Sequence, residues 1–156
     1  MSQIICSHIE YKQVKYSYFG RVYLERDYNF FALLGSGPLM NDIHPLFALR
    51  GMPSDTNILT GVAFYLLVRD HETDRERHIS RREAEQWVKR GDAQWVGTNH
   101  ITDPDYFNPS WLSTDELEQV YEEYQKLSSP GLLSVEATLA AMRLLPEARL
   151  VYWFGN

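Results

Sequence analysis

The sequence predicts an α+β fold: a single domain over residues 1–156, with a mixed or antiparallel sheet carrying about three to four helices. Three observations carry this reading. Two segments open with the Ser-x-x-Glu spacing of a capping box and continue with apolar residues at helical intervals. The segment Arg149-Leu150-Val151-Tyr152-Trp153-Phe154 is β-branched and aromatic, and it must be tied into a sheet, since a frayed end would leave Trp153 and Phe154 in water. Finally, 156 residues of which 44% are hydrophobic suit one core better than two.

Taken in order, residues 14–24 are rich in aromatic and β-branched side chains and read as one or two strands bent at Gly20. Asp27 is placed to cap a short helix over Tyr28–Leu34, which Gly35-Ser36-Gly37-Pro38 stops. Residues 35–60 hold three prolines and three glycines and read as irregular; a loop of that length in a compact domain is either mobile or part of a site. The run Val62–Val68 suits a central strand covered on both faces, with a buried helical turn as the alternative. Ser80-Arg81-Arg82-Glu83 opens a helix with Ala84, Trp87 and Val88 on one face, ended by Gly91. Ser113-Thr114-Asp115-Glu116 opens a second with Leu117, Val120, Tyr121, Tyr124 and Leu127 on one stripe. Ser134 opens a third, with Val135, Leu139 and Met142 inward, closed by Pro146.

The charge balance narrows the function classes. With 21 acidic and 15 basic residues the net charge is −6, a poor match for duplex nucleic acid, which is bound through Lys and Arg on phosphates. No apolar run is long enough to span a bilayer, and Met1–Cys6 lacks the basic and apolar regions of a signal peptide. The lone Cys6 forms no intrachain disulfide, in keeping with a reducing cytosol, and reads as an inert buried thiol.

Four clusters carry possible chemistry. The stretch Asp70–His78 concentrates metal-ligand types, but His71 and His78 do not have the HExxH spacing, so it reads as a solvated hairpin or loop and no metal or other cofactor is expected. Among His44, His71, His78 and His100, the strongest acid–base candidate is Asn41-Asp42-Ile43-His44, because it lies in the long loop. Gly35-Ser36-Gly37 lacks the lysine of a phosphate loop and reads as a helix stop. The fourth cluster is the preferred one: Arg26, Tyr28 and Arg50 flank the irregular region, and Asn108, Ser110 and Trp111 precede a helix start. Arginine can hold a phosphate or carboxylate bidentately, an aromatic ring can stack on a base, and helix-start amides favour an anion. These six are the expected ligand-binding residues, for a small anionic or nucleotide-like molecule and without a catalytic group.

Four segments also resemble a family of short proteins found in bacteriophage and some bacterial genomes. Residues Arg26-Asp27-Tyr28-Asn29-Phe30-Phe31-Ala32-Leu33-Leu34 are similar to that family's Arg-Asn-Tyr-x-Leu-Phe-Ala-x-Leu, and Leu49-Arg50-Gly51-Met52-Pro53-Ser54-Asp55 to its Pro-Arg-Gly-Leu-Pro-Asp-Asp. Ser110-Trp111-Leu112-Ser113-Thr114-Asp115-Glu116-Leu117 is similar to Ser-Trp-Leu-Thr-x-x-Glu-Leu, and the final eight residues to Arg-Ile-Val-Phe-Trp-Phe-Asp-Asn. The chain departs from the pattern where the family frequently has a histidine shortly before Ser-Trp-Leu, and again at Gly155, where it has an acid. The resemblance implies a phage or prophage origin, and the departures favour binding over turnover. The expected function is therefore a phage-encoded, small-molecule-binding protein of the host cytosol that sequesters a nucleotide-derived immune signal, an analogy of genomic context. Two alternatives stay open: a small metal-independent hydrolase or phosphodiesterase using His44, Asp42 and either His71 or His100, and a module docking on a host protein through Trp and Tyr. A homo-oligomer with pockets between copies is compatible with each.

Overall fold

The computed structural model describes residues 3–37, 42–127 and 130–156. In chain order the elements are β1 (Ile4–Lys12), β2 (Tyr16–Val22), α1 (Tyr28–Leu34), α2 (Ile58–Phe64), β3 (Leu66–Arg69), β4 (His78–Ser80) and α3 (Arg81–Lys89). They continue with β5 (Trp95–Val96), β6 (His100–Ile101), β7 (Tyr106–Ser113), α4 (Thr114–Leu127), α5 (Leu133–Arg143) and β8 (Arg149–Gly155). The α+β class expected from the sequence is the one observed. The chain divides into two compact units, one of Met1–Asn57 with Phe107–Asn156, the other the intervening Ile58–Tyr106.

In the first unit the sheet order is β2-β1-β8-β7. β1 runs antiparallel to both β2 and β8, so the expected terminal strand lies inside the sheet and its hydrogen-bonding groups are paired on both sides. Because side chains alternate across a strand, Ile9 on β1 and Leu150, Tyr152 and Phe154 on β8 share one face. That face packs on Phe30 and Phe31 of α1, Leu117, Val120 and Tyr124 of α4, and Val135, Leu139 and Met142 of α5. Each fully buried side chain of this kind contributes about 1.5–3 kcal/mol. The opposite face carries Cys6, His8 and Glu10 of β1 and Arg149, Val151 and Trp153 of β8, all buried as well. The expected bend at Gly20 is a bulge: Ile9 pairs with Gly20 and Glu10 with Tyr18, leaving Phe19 as the extra residue.

The caps follow the sequence closely. Asp27 Oδ1 accepts the Phe30 amide at 3.0 Å, and its other oxygen accepts the Tyr124 hydroxyl at 2.7 Å, which ties α1 to α4. Gly35 closes α1 in the left-handed conformation (φ 111°), its amide donating back to the Phe31 and Ala32 carbonyls. Pro38, the last residue of the expected stop, lies outside the described residues. Ser80 accepts the Glu83 amide at 3.2 Å ahead of α3. Ahead of α4 the box is reciprocal: Ser113 Oγ accepts the Glu116 amide and Glu116 Oε1 accepts the Ser113 amide. α5 departs from expectation. It begins at Leu133, and the Tyr121 hydroxyl accepts the Leu132 amide at 2.7 Å, while Ser134 Oγ is engaged by Glu25.

The second unit is built on a sheet of order β4-β3-β6-β5, with β3 parallel to β4 and antiparallel to β6. Its core is Leu66, Val68, Ile79, Ala84, Ala93 and Ile101. The expected strand over Val62–Val68 is corrected here: residues 58–64 are helix α2, the Tyr65 amide still reaches the Gly61 carbonyl at 2.9 Å, and the strand starts at Leu66. The physical reason is periodicity. Thr60 and Phe64, four apart, are buried, whereas Ile58, Leu59 and Val62 face out, so the apolar run continues from a helix into a strand. No helix among the described residues is long and apolar enough to cross a membrane.

Candidate functional site

The structure separates the six expected ligand residues into groups. Arg50, Ser110 and Trp111 come together. The Ser110 hydroxyl, buried on β7, accepts the Arg50 amide at 3.0 Å, and the Gly51 amide donates to the Pro109 carbonyl at 3.0 Å. The Arg50 guanidinium donates to the Trp111 carbonyl at 3.0 Å, forks onto both oxygens of Glu116, and lies 4.5 Å from the Trp111 ring centroid. This two-pronged bond holds the Glu116 carboxyl well down, at about 2, against a smaller opposing effect of burial. Ser110 also reaches the Tyr152 hydroxyl, which donates to the Leu34 carbonyl at 2.7 Å. The ensemble docks the irregular segment before α2 onto β7 and the end of α1, so Arg50 and Ser110 have protein partners for their main donors and acceptors.

Asn108 is nearby in sequence but does separate work. It adopts a left-handed backbone (φ 53°), and its amide donates to the Gly35 carbonyl at 2.9 Å, fastening β7 to the α1 stop. Tyr28 is partly exposed at the start of α1, edge-on to Phe31 at 6.2 Å between centroids.

A layer the sequence did not reveal lies on the sheet face opposite the helices. Arg149 reaches Glu10 Oε1 through Nε at 2.9 Å and Nη2 at 2.7 Å, and Asp55 through Nη1 at 3.0 Å. The other Glu10 oxygen accepts from the Thr56 hydroxyl and the Asn57 amide, and the Arg149 guanidinium lies 3.3 Å from the Tyr16 ring centroid. Beside it, His8 is stacked on Trp153 at 5.1 Å and bonds Tyr18 through Nδ1 at 2.9 Å. Burial drives the His8 imidazole down to about 4; the nearby Arg21 charge adds to this and Glu10 opposes it. The charged groups of this layer, Glu10 and Arg149, are bonded to one another and to Asp55, Thr56 and Asn57, which makes it a framework.

The open site is a cleft of about 670 Å³ where the ends of β1 and β2 meet the start of α1. Ile5, Val22, Leu24 and Phe31 are the apolar part of its lining, and the exposed Arg21, Tyr23 and Arg26 complete it; Arg21, level with His8 on β1, lies on the sheet face opposite Val22. Arg26, one of the six expected residues, therefore belongs to this cleft and not to the Arg50 cluster. Neither Arg21 nor Arg26 forms an ion pair among the described residues. Two arginines and a tyrosine at the mouth of a cleft with an apolar lining supply charge for an anion and a ring for stacking. Among the described residues, no histidine, carboxylate, serine or cysteine lines the cleft. Arg21 and Tyr23 were missed because they read as strand residues, although their spacing of two sets them on one side of an extended chain.

The remaining candidates are dispersed. Asp42 and His44 pair at 3.1 Å, but both are exposed to solvent; Asn41 lies outside the described residues. Cys6 is buried. Among the described residues no three His, Cys, Asp or Glu side chains gather as metal ligands. Compared with protein-family models, with curated proteins and with solved structures, the chain has no significant match.

Proposed function

We propose that the protein binds a small anionic, nucleotide-like molecule in the cleft lined by Arg21, Tyr23 and Arg26, and holds it without transforming it. One observation carries this reading: two exposed arginines without ion-pair partners among the described residues line one cleft together with Tyr23 and apolar side chains. The cations take the phosphates, and the Tyr23 ring and the apolar lining take the base or sugar; among the described residues the lining holds no histidine, carboxylate, serine or cysteine to act on the ligand. The resemblance to phage proteins supports the finer reading, that of an anti-defence protein of the host cytosol that sequesters a nucleotide-derived immune signal.

Calorimetric titration with ADP-ribose and with a cyclic dinucleotide tests this. At least one of the two is expected to bind. Arg21→Ala and Arg26→Ala should each weaken it by roughly tenfold or more, the loss of one charge-assisted contact. Binding that both variants retain in full contradicts the assignment of the cleft.

A further inference from the structure

A second cavity, of about 210 Å³, lies in the unit formed by residues 58–106, and nothing in the function proposed above uses it. Its construction follows from strand register. Leu67 of β3 is paired with His78 of β4 on one side and with His100 of β6 on the other. Residues level with one another in a sheet point to the same face, so the two imidazoles flank Leu67, their backbones roughly 10 Å apart across two strand spacings. The next residue in each strand, Ile79 and Ile101, turns to the opposite face and into the core. Both histidines line the cavity, together with Tyr65 and Arg77.

Arg77 is fixed there at a cost. Its backbone is left-handed (φ 61°), a conformation that costs a side-chain-bearing residue about 1–2 kcal/mol. Its guanidinium pairs with Asp103, donates through Nη2 to the Phe64 and Tyr65 carbonyls at 2.8 and 3.2 Å, and lies 4.9 Å from the Tyr106 ring centroid. Both terminal nitrogens are thereby engaged. Arg77 Nε and His78 Nδ1 are left buried without a protein partner among the described residues. A buried N–H with no acceptor costs about 1–3 kcal/mol, which an incoming acceptor recovers.

We infer that this cavity is a site for a tetrahedral oxyanion of the phosphate class, held by Arg77 Nε, the His78 imidazole and the His100 imidazole. Nitrogens from two flanking strands and the preceding turn match a ligand with several oxygens better than a planar carboxylate. Glu76, the one carboxylate on the lining among the described residues, is exposed, so water screens its repulsion, and the Asp103 carboxylate is paired with the Arg77 guanidinium. Desolvation, with the charges of Arg75 and Arg69, keeps His78 below the usual imidazole range, and near neutral pH it serves as a neutral hydrogen-bonding group. The site is independent of the Arg21–Arg26 cleft, and either can fail without the other.

The test is NMR of the imidazole ring signals of the full chain, titrated with inorganic phosphate at constant ionic strength. The His78 and His100 signals should shift saturably while those of His44 and His71 stay in place. His78→Gln should weaken the His100 response by at least tenfold, and His100→Gln should do the same to the His78 response. The second variant covers a failure of the first to fold. Equal, unsaturated drift of all histidines, or an unchanged response of the remaining histidine in a folded variant, overturns the inference.

Discussion

Glu10 and Arg149, 139 residues apart in the chain, face each other in register on β1 and β8 and form a doubly bonded ion pair that is almost wholly shielded from water. Removing one member of a buried pair strands the other charge, which typically costs about 3–5 kcal/mol. Glu10→Ala is therefore expected to lose stability of that order in urea unfolding. The double variant Glu10→Leu/Arg149→Met should recover much of it, because no buried charge remains and Asp55, the other partner of Arg149, is exposed to solvent.

Glu116 gives stability a definite acid limb. Its carboxyl sits at about 2 in the folded protein against an ordinary 4.5, so its contribution is complete above pH 4.5 and fades as pH falls toward 2. At pH 7 Glu116→Gln should be less stable than the parent by on the order of 1–3 kcal/mol, the worth of hydrogen bonds to a charged group. Urea midpoints measured from pH 7 down to 2 should show this gap closing.

His8 governs a higher window. Folding lowers its imidazole from 6.5 to about 4, so the unfolded chain binds the extra proton first. Its contribution is full above pH 6.5 and is lost as pH falls through 4, at up to about 1.4 kcal/mol per pH unit. Between those limits the stability of His8→Gln should depend on pH less steeply than that of the parent, as thermal unfolding at stepped pH would show.

How much of this was legible depends on whether the cause is local. Asp27, Ser80 and Ser113 announce their helices because a cap bonds an amide two or three residues on, and each does so here. β1 was not anticipated: Ile4–Lys12 mixes Ser7, His8 and Glu10 among its apolar residues, and those polar groups are buried only because Val22, Tyr18 and Arg149 answer them from other strands. α2 was misread because its outward residues are apolar. Arg26, chosen from residue type alone, lines the cleft, whereas Arg50 and Ser110, chosen in the same way, spend their hydrogen bonds on Glu116, Trp111 and a loop amide.

Gly35 offers a steric test of the loop that Arg50 secures. A Cβ there would meet Leu49 Cδ2 at 2.5 Å, in a backbone conformation that L residues rarely adopt. Gly35→Ala should cost about 1–3 kcal/mol in denaturant unfolding. Adding Leu49→Ala should relieve the clash but not the backbone penalty, leaving the double variant short of full recovery relative to Leu49→Ala alone.

Ligand retention is the most direct test of the central claim. Native mass spectrometry of the protein mixed with ADP-ribose or a cyclic dinucleotide, followed by denaturation and analysis of the released molecule, reads binding and turnover together. The account predicts a complex with at least one of these nucleotides, diminished in Arg21→Ala and Arg26→Ala, that releases its ligand chemically unchanged. Recovery of a cleaved product, or equal retention by both variants, would contradict it.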